Sequence, residues 1–343
     1  MGKRTLAFLI CSFLMLPSFA AADEDPVDKA IERGLDYLLM AQKDDGSFNG
    51  TYGQTTALPA LAAMACLAKG HVPGDSKYGA LIERSLDYIL ANHDESGYFG
   101  DKGDGKMYAH SIVTLFLTEI SGMVSRERQA QIDAVLPKAV KVILDAQNIK
   151  KNPYHDGGWR YTPTSSDSDT SCSGWALMAL RSARLNGAQV PQTAIARAVS
   201  YMHKHHHKEK GCFGYQNADQ NAVTLSGAGI LCLELCGKHE DPASLSAAKF
   251  LMGVYRDKLP SEGFSYYGLY YASQGLFQIG GENWKEFSNW MYATYLPRQR
   301  ASGAWPESGG ERSEVYATAM TVLAFAVPYR QLPVYQRDET VDE

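Results

Sequence analysis

Six copies of one pattern run through this chain of 343 residues, and the repetition limits the folds that it can adopt. Each copy has a helical segment, a loop with a glycine next to an aromatic residue, and a second helical segment. The loop pairs are Gly46 and Phe48, Gly97 and Phe99, Gly158 and Trp159, Gly211 and Phe213, Gly263 and Phe264, and Gly303 and Trp305. A period of about 40–60 residues is typical of folds built from equivalent stacked units.

The two helices of a copy differ in their hydrophobic pattern. The first is amphipathic, with charges between apolar residues spaced three and four apart, as in Ala30 to Leu39. The second is apolar on nearly every side, as in Thr56 to Leu67 and Thr224 to Leu235, which is typical of a buried helix. We therefore predict an all-α fold, an (α/α)6 toroid of six helix-pair repeats in a closed double ring.

The ends of the chain differ from this pattern. Lys3 and Arg4, the apolar run Leu6 to Leu16 and the small residues Ala20 to Ala22 predict a signal peptide at 1–22 and export, to the periplasm or outside the cell. The toroid is predicted at 23–334, followed by a flexible acidic tail at 335–343. No later run is long and apolar enough to predict a transmembrane segment in the mature chain.

Charge and cysteine content restrict the partners and the bonding. A net charge of −5 argues against nucleic acid, which binds basic surfaces. An odd number of cysteines, without CxxC pairs, remains after the predicted cleavage: Cys66, Cys172, Cys212, Cys232 and Cys236. Export permits a disulfide, but the spacing assigns none, and it favours buried thiols for Cys232 and Cys236, which are four residues apart in an apolar helix.

The first loop carries a family motif, Arg33-Gly34-x-x-Tyr37-Leu38-x-x-x-Gln42-x-x-x-Gly46-x-Phe48. Its second half recurs as Gln299-x-x-x-Gly303-x-Trp305 and, with an insertion, as Gln147 and Gly157-x-Trp159; His93 and His206 replace Gln in two copies. This resembles the QW repeat of squalene–hopene and oxidosqualene cyclases over nearly the whole mature chain. The resemblance implies the α/α toroid of the terpene cyclase and protein prenyltransferase superfamily. We expect the Gln to bond a neighbouring helix end, outside any active site.

In such a toroid the inner helices run roughly parallel, so their N-termini meet at one rim, where free N–H groups favour negative charge. Residues that enter these helices are the candidates for a site. They are Thr55, Thr56, Tyr108, His110, Asp167, Asp169, Cys172, Asn221, Thr224, Tyr270, Tyr271, Glu314 and Tyr316.

Asp167 and Asp169 are the candidate catalytic residues. The cyclases that the chain resembles protonate an alkene with the middle Asp of an Asp-x-Asp-Asp-Thr motif. The matching residues here, 166–170, place Ser168 at that position, and the chain has one toroid where those cyclases have two. The alternative is that both carboxylates cap the following helix.

Zinc is a second possibility that the resemblance implies, since prenyltransferase β-subunits bind zinc at this rim through Asp, Cys and His. Asp169, Cys172 and His110 have those side chains, but the spacing differs, and we expect no cofactor. In the alternative interpretation His110 is a polar rim residue and Cys172 a small buried side chain. The run His203 to His207 is expected to be the solvated end of an outer helix.

Tyrosine is abundant, at 20 residues, and is densest between Gly263 and Tyr271. We expect Tyr270, Tyr271, Tyr316 and His110 to contact a ligand, because aromatic walls stabilise cations and stack on flat groups. The ligand is predicted to be apolar and isoprenoid-like, or glycan-like, or a protein partner. Two functions stay open: a binding scaffold without the complete cyclase acid motif, and an isoprenoid-processing enzyme that uses Asp167 or Asp169.

Overall fold

The structure, a computed structural model, describes residues 25–220 and 222–335. The predicted signal peptide, residues 336–343 of the predicted tail and Asn221 lie outside the described residues. Within them, twelve α-helices alternate between an outer and an inner ring. The outer helices are α1 Pro26–Ala41, α3 Gly79–Leu90, α5 Arg126–Asn148, α7 Gln192–Lys204, α9 Pro242–Lys258 and α11 Gly281–Tyr295. The inner helices are α2 Ala57–Lys69, α4 Lys106–Ile120, α6 Thr170–Leu185, α8 Val223–Leu235, α10 Ser265–Ile279 and α12 Glu314–Phe325.

Short elements lie in the connections. Two residue pairs in the fourth loop, β1 His206–His207 and β2 Cys212–Phe213, pair antiparallel, with His206 opposite Phe213. The 3₁₀ helices are Lys102–Asp104, Leu259–Ser261, Leu296–Arg298, Val327–Tyr329 and Pro333–Tyr335.

The inner helices form a closed circuit. Each inner helix packs against the next, from α2 through to α12, and α12 packs in turn against α2. The first outer helix, α1, lies against both α12 and α2 and so covers the place where the two ends of the chain meet. The prediction of a closed (α/α)6 toroid is confirmed.

Burial follows the predicted difference between the two rings. All thirteen residues of α8 are buried, whereas α1 buries only Ala30, Ile31, Gly34, Leu35 and Leu38. An inner helix has neighbours on every side, so each of its faces must be apolar or hydrogen-bonded. Of the described helices, none has both the length and the apolar character needed to span a bilayer. The five cysteines from Cys66 to Cys236 are all buried and free.

The glutamines of the family motif tie neighbouring outer helices together. Gln147 Nε2 donates to the carbonyl of Gly157 in its own loop, at 3.0 Å, and to the carbonyl of Ala194 in α7, at 2.9 Å. Gln42 bonds Gly46 and Leu81 in the same way. Gln299 bonds Gly303 and Ala30 at 2.9 and 2.8 Å, which joins the sixth repeat to the first.

The loop glycine of the motif makes a close backbone approach. Gly157 has a φ of +94°, and a Cβ at this position would lie 2.2 Å from the carbonyl oxygen of Arg197 in α7. Gly46 and Gly303 also have positive φ angles, and a Cβ on either would lie 2.2 and 2.1 Å from carbonyl oxygens of α3 and α1. Gly157 is therefore the third copy of this position, as the motif spacing Gly157-x-Trp159 indicates, and Gly158 of the loop pair is not.

The C-terminal segment closes the base of the ring, at the C-terminal ends of the inner helices. The Val334 N–H donates to Glu119 Oε2 at 3.1 Å, and Arg181 Nη1 donates to the Val334 carbonyl at 2.9 Å. The hydroxyls of Tyr335 and Tyr270 are 2.8 Å apart. Tyr335 is buried, with its side chain among the inner helices. The prediction of a flexible tail that begins at 335 is therefore wrong for this residue.

Candidate functional site

A cavity opens at the end of the ring where the inner helices begin. Its first lobe has a volume of about 350 Å³ and a wall of aliphatic and aromatic side chains. Residues that line this first lobe include Leu58, Leu61, Ala109, Ile112, Trp175 and Tyr316. Tyr52 and Phe264 stand at its opening and remain 48% and 58% exposed. The first lobe is thus a mainly apolar pocket, and Thr55, Asp104 and Glu311 are the polar side chains in its lining besides the tyrosines.

A second lobe of about 420 Å³ adjoins the first. Four aromatic side chains line both lobes and form the partition between them: Tyr108, Tyr161, Phe264 and Tyr267. Residues found only in the second lobe include Ser171, Tyr215, Thr224 and Glu262, so its wall carries more hydroxyl groups. Each lobe has the size of a small-molecule pocket, for which roughly 300–1,000 Å³ is usual.

Most hydroxyl groups of the partition already have partners. The Tyr161 and Tyr215 hydroxyls bond each other across the second lobe, and the Tyr108 hydroxyl bonds Ser171 Oγ. Tyr267 differs, because its hydroxyl is buried and has no hydrogen-bond partner. The residue as a whole is only 8% exposed.

Trp175 forms the floor of the first lobe. Its ring stacks on Tyr270, with 5.3 Å between ring centroids, and meets Tyr271 edge-on at 5.5 Å. Tyr270 and Tyr271 were predicted to contact a ligand, but they lie beneath Trp175 and line neither lobe. The reason is that α10 begins at Ser265, so both tyrosines are more than a turn inside the helix. Tyr316 does line the first lobe.

Glu311 is a buried carboxyl group in the wall of the first lobe. Its oxygens accept the backbone N–H groups of Tyr266 and Tyr267 at 2.9 and 2.7 Å, so it caps α10 from the loop of the next repeat. Burial raises the pKa of Glu311 to about 7, although these two hydrogen bonds act in the opposite direction. The cavity therefore contains a carboxyl group that titrates near neutral pH.

Asp169, one of the two predicted catalytic residues, caps its own helix. Its Oδ1 accepts the Cys172 N–H at 2.8 Å and the Ser171 hydroxyl at 2.5 Å, and its Oδ2 lies 3.3 Å from Arg160 Nη1. Burial raises the pKa of Asp169, while these partners act to lower it. Asp169 lines neither lobe, and its hydrogen-bond partner Ser171 lines the second.

Asp167, the other predicted catalytic residue, lies further out. Its side chain is 43% exposed and its Oδ2 is 3.5 Å from Arg160 Nε and 3.1 Å from Gln216 Nε2. Arg160 also lies over the rings of Tyr161 and Tyr215, at 4.4 and 5.4 Å from their centroids. The two aspartates thus hold the guanidinium group of Arg160, which packs on Tyr161 of the partition. Neither carboxylate faces the cavity.

His110 was predicted both as a ligand-binding residue and as a candidate zinc ligand, and the structure gives it neither position. Its Nδ1 accepts the Phe99 N–H at 3.2 Å, and its Nε2 donates to the Ala139 carbonyl at 3.0 Å. Burial lowers the pKa of His110 to about 4, which leaves the ring neutral. In two other repeats the hydroxyls of Ser173 and Thr318 accept the backbone N–H groups of Trp159 and Trp305. His110 has the same role for Phe99, so it connects the loop to the inner helix.

The zinc candidates Asp169, Cys172 and His110 are therefore not assembled into a ligand set. In residues 25–220 and 222–335, no group of three His, Cys, Asp or Glu side chains is arranged to hold a metal ion. The histidine run is also divided. His203 pairs with Asp241 at 3.3 Å, and His206 bonds Ser246 Oγ at 2.9 Å. His205 is buried, which corrects the prediction of a fully solvated run.

Sequence reasoning missed Tyr267, Trp175 and Glu311 as cavity residues. A signal for Glu311 was present, because it lies in the loop before an inner helix, as Asp169 does. Tyr267 belongs to the tyrosine run that the sequence did single out. Tyr267 lies in the first turn of α10, beside the cavity, because α10 begins at Ser265. That first turn is capped by Glu311 from the neighbouring repeat, which the sequence of α10 alone does not show.

No protein-family model matches the sequence, and no curated protein matches it. Solved structures do resemble the fold. A variant of the type II terpene cyclase MstE from Scytonema, in complex with geranylgeranyl dihydroxybenzoate (substrate), superposes with a TM-score of 0.61 at 15% identity. The match covers 90% of this chain and 98% of the cyclase chain.

Two other similar structures have different printed functions. A GH8 xylanase from Teredinibacter turnerae in complex with xylohexaose has a TM-score of 0.58 at 11% identity, over 90% of this chain and 95% of the xylanase. A possible GH105 member from Klebsiella pneumoniae has a TM-score of 0.57 at 11% identity, over 94% and 99% of the two chains. The chain thus has the α/α-toroid fold found in terpene cyclases, and this fold serves several chemistries.

Proposed function

We propose that this toroid, which shares its fold with type II terpene cyclases, binds an apolar, isoprenoid-like ligand in the cavity at its mouth. The observation that supports the proposal is the wall of the first lobe, where Leu58, Leu61, Ile112 and Trp175 surround about 350 Å³. Burying a hydrocarbon there removes apolar surface from water on both partners, at about 25 cal/mol per Å². The geranylgeranyl substrate of the Scytonema cyclase supports this choice of ligand class.

The cavity wall favours an isoprenoid over a glycan. A sugar carries a hydroxyl on most of its carbons, and each buried hydroxyl needs a partner. The deep end of the first lobe offers aliphatic groups instead, and the hydroxyls of Tyr108 and Tyr161 bond to other residues. The exposed rings of Tyr52 and Phe264 extend the apolar surface out to the opening.

Trp175 provides the readout for binding. It is one of five tryptophans, and it is the one that lines a lobe of the cavity. We expect farnesol to change the tryptophan fluorescence with a micromolar dissociation constant and xylohexaose to leave it unchanged. The change should be absent in Trp175→Phe. No response to farnesol, confirmed by calorimetry, would refute the proposed function.

A blocked cavity is the second arm of the same experiment. Ala57 lines the first lobe at the start of α2, so Ala57→Phe fills part of the space that the ligand needs. We expect this variant to bind farnesol at least about tenfold more weakly, since a ring displaces several ligand methylenes worth ~0.8 kcal/mol each. Ala41→Phe is the matched control, because Ala41 is partly buried at the end of α1 and does not line the cavity.

Acid catalysis on the bound ligand is the second candidate function, and Glu311 favours it. A buried carboxyl with a pKa of about 7 is partly protonated at neutral pH and can act as a general acid. Asp167 and Asp169 are less suited to that role because they are paired with Arg160 outside the cavity. Mass spectrometry of the farnesol samples tests this function: a product formed by the wild type and by Asp169→Asn, but not by a Glu311→Gln variant that still binds farnesol, would support it.

A further inference from the structure

The partition between the two lobes contains a polar group without a partner. Tyr267 lines both lobes, and its hydroxyl is buried with no hydrogen bond in the structure. A buried donor left unpaired costs about 1–3 kcal/mol, so most buried hydroxyls in proteins have partners. Of the other buried side-chain N and O atoms without partners in the described residues, none lines either lobe.

The neighbours of Tyr267 fix its ring and leave its hydroxyl free. The backbone N–H of Tyr267 is held by Glu311 Oε1 at 2.7 Å, and its ring lies 4.7 Å from that of Tyr271. The nearby hydroxyls of Tyr108 and Tyr161 are engaged with Ser171 and Tyr215. A fixed ring with a free hydroxyl is preorganised to bond a ligand, because little conformational entropy remains to be lost.

We propose that the Tyr267 hydroxyl binds the single oxygen of an oxygenated isoprenoid, whose hydrocarbon chain occupies the first lobe. This inference rests on the proposed function and narrows its ligand class from hydrocarbons to terpenoid alcohols and their ethers or ketones. The oxygen lies at the partition, where it accepts a hydrogen bond from Tyr267. The second lobe, with Ser171, Thr224 and Tyr215 in its wall, takes the groups beyond the oxygen.

A matched pair of ligands tests the inference: farnesol and its deoxy analogue 2,6,10-trimethyldodeca-2,6,10-triene, both presented from cyclodextrin. The ratio of their dissociation constants is measured in the wild type and in Tyr267→Phe. Comparing the two ratios cancels the difference in water solubility between alcohol and hydrocarbon. In Tyr267→Phe we expect the preference for farnesol over the hydrocarbon to fall by about three- to tenfold, which is the effect of one hydrogen bond. The affinity of the variant for the hydrocarbon itself should not change.

Tyr271→Phe is the matched control. Tyr271 lies one turn further along α10, and its hydroxyl is also buried without a partner, but it lines neither lobe. The inference requires that Tyr271→Phe keep the wild-type ratio. If Tyr267→Phe also keeps that ratio, or if Tyr271→Phe loses it to the same extent, the inference is refuted while the proposed function stands.

The remaining outcomes are also decisive. If the wild type binds neither ligand, the proposed function fails and the inference fails with it. If Tyr267→Phe does not fold, a crystal structure of the wild type with farnesol decides instead. The farnesol oxygen must then lie about 3 Å from Tyr267 Oη, and an oxygen bonded elsewhere would overturn the inference.

Discussion

Two buried glutamates differ in what their oxygens contact. Glu311 accepts two backbone N–H groups, which cannot accept a bond in return. Glu119 accepts one backbone N–H, from Val334, and one hydroxyl, from Ser182 at 2.5 Å. The Ser182 hydroxyl can instead act as an acceptor, because Thr118 Oγ1 lies 2.6 Å away to take its proton. A glutamine side chain can therefore replace Glu119 and keep both hydrogen bonds. At Glu311 the NH₂ group of a glutamine would face a backbone N–H, and two donors cannot bond each other.

Glu119→Gln should flatten the dependence of stability on pH. Burial raises the pKa of Glu119 from 4.5 to about 7. Between these values the folded state holds a proton that the unfolded state has released, so the contribution of Glu119 to stability is largest below pH 4.5 and falls as the pH rises to 7. The loss is on the order of 3 kcal/mol. Urea unfolding at pH 5, 6, 7 and 8 should show a smaller fall for the variant; equal slopes would contradict this assignment.

For single residues, the sequence predicted which end of the ring holds the cavity, but most of the side chains that it selected as catalytic or ligand-binding do not line that cavity. Asp169 is where a carboxylate was expected, but Arg160 and the N-terminus of α6 bind it. His110 was chosen for its chemical type, yet both of its nitrogens are used to brace a loop. The cap at Cys172 is three residues from Asp169 and matches the alternative that the sequence offered. The partners Arg160, Phe99 and Ala139 are 9, 11 and 29 residues from the side chains that they bond, and no local pattern identifies them. The cap that Glu311 supplies to α10 comes from 44–45 residues away.

Between elements, the glutamine–glycine contact is the part of the fold that sequence described best. The spacing of Gln42 and Gly46 recurs in Gln299 and Gly303, and both pairs make the predicted bond to a neighbouring outer helix. The sequence left the third copy ambiguous, because the loop pairs name Gly158 whereas the motif spacing Gly157-x-Trp159 selects its neighbour Gly157. The approach of Arg197 to within 2.2 Å of a Cβ position decides between them.

Gly157→Ala should destabilise the protein by about 3 kcal/mol, from left-handed strain and from the clash with the Arg197 carbonyl. Gly187→Ala separates the two effects. Gly187 has a φ of +85°, but nothing lies within 4 Å of a Cβ placed there, so only strain of about 1 kcal/mol is expected. Chemical denaturation of both variants gives the comparison. Equal losses would mean that the contact with α7 contributes nothing to stability.

For the molecule as a whole, the repeat count and the two patterns of hydrophobicity were enough to predict the closed double ring. The closure of the base by residues 331–335, here called the plug, was not predictable, because these five residues belong to no repeat and are too few to show a periodic pattern. Their burial depends on hydrogen-bond donors and acceptors that three different inner helices present to them. Among these are Glu119 of α4, Arg181 of α6 and Tyr270 of α10.

Removing the plug should cost much of the stability of the ring. A chain that ends at Arg330 loses the buried side chains of Leu332, Val334 and Tyr335 and the acceptor for Arg181 Nη1. We expect its thermal midpoint to fall by about 10 °C. A chain that ends at Tyr335 keeps all of these contacts and serves as the control. The prediction fails if scanning calorimetry finds the two midpoints equal.

The packing of α1 on α12 also sets the order of folding. The ribosome makes residues 26–41 long before residues 314–325, so α1 emerges without one of the two inner helices that it covers. Contacts between such distant parts of a chain form slowly, because a long loop must first close. The middle repeats can pair as they are synthesised, but the first repeat reaches its final surroundings only after the last one has been made.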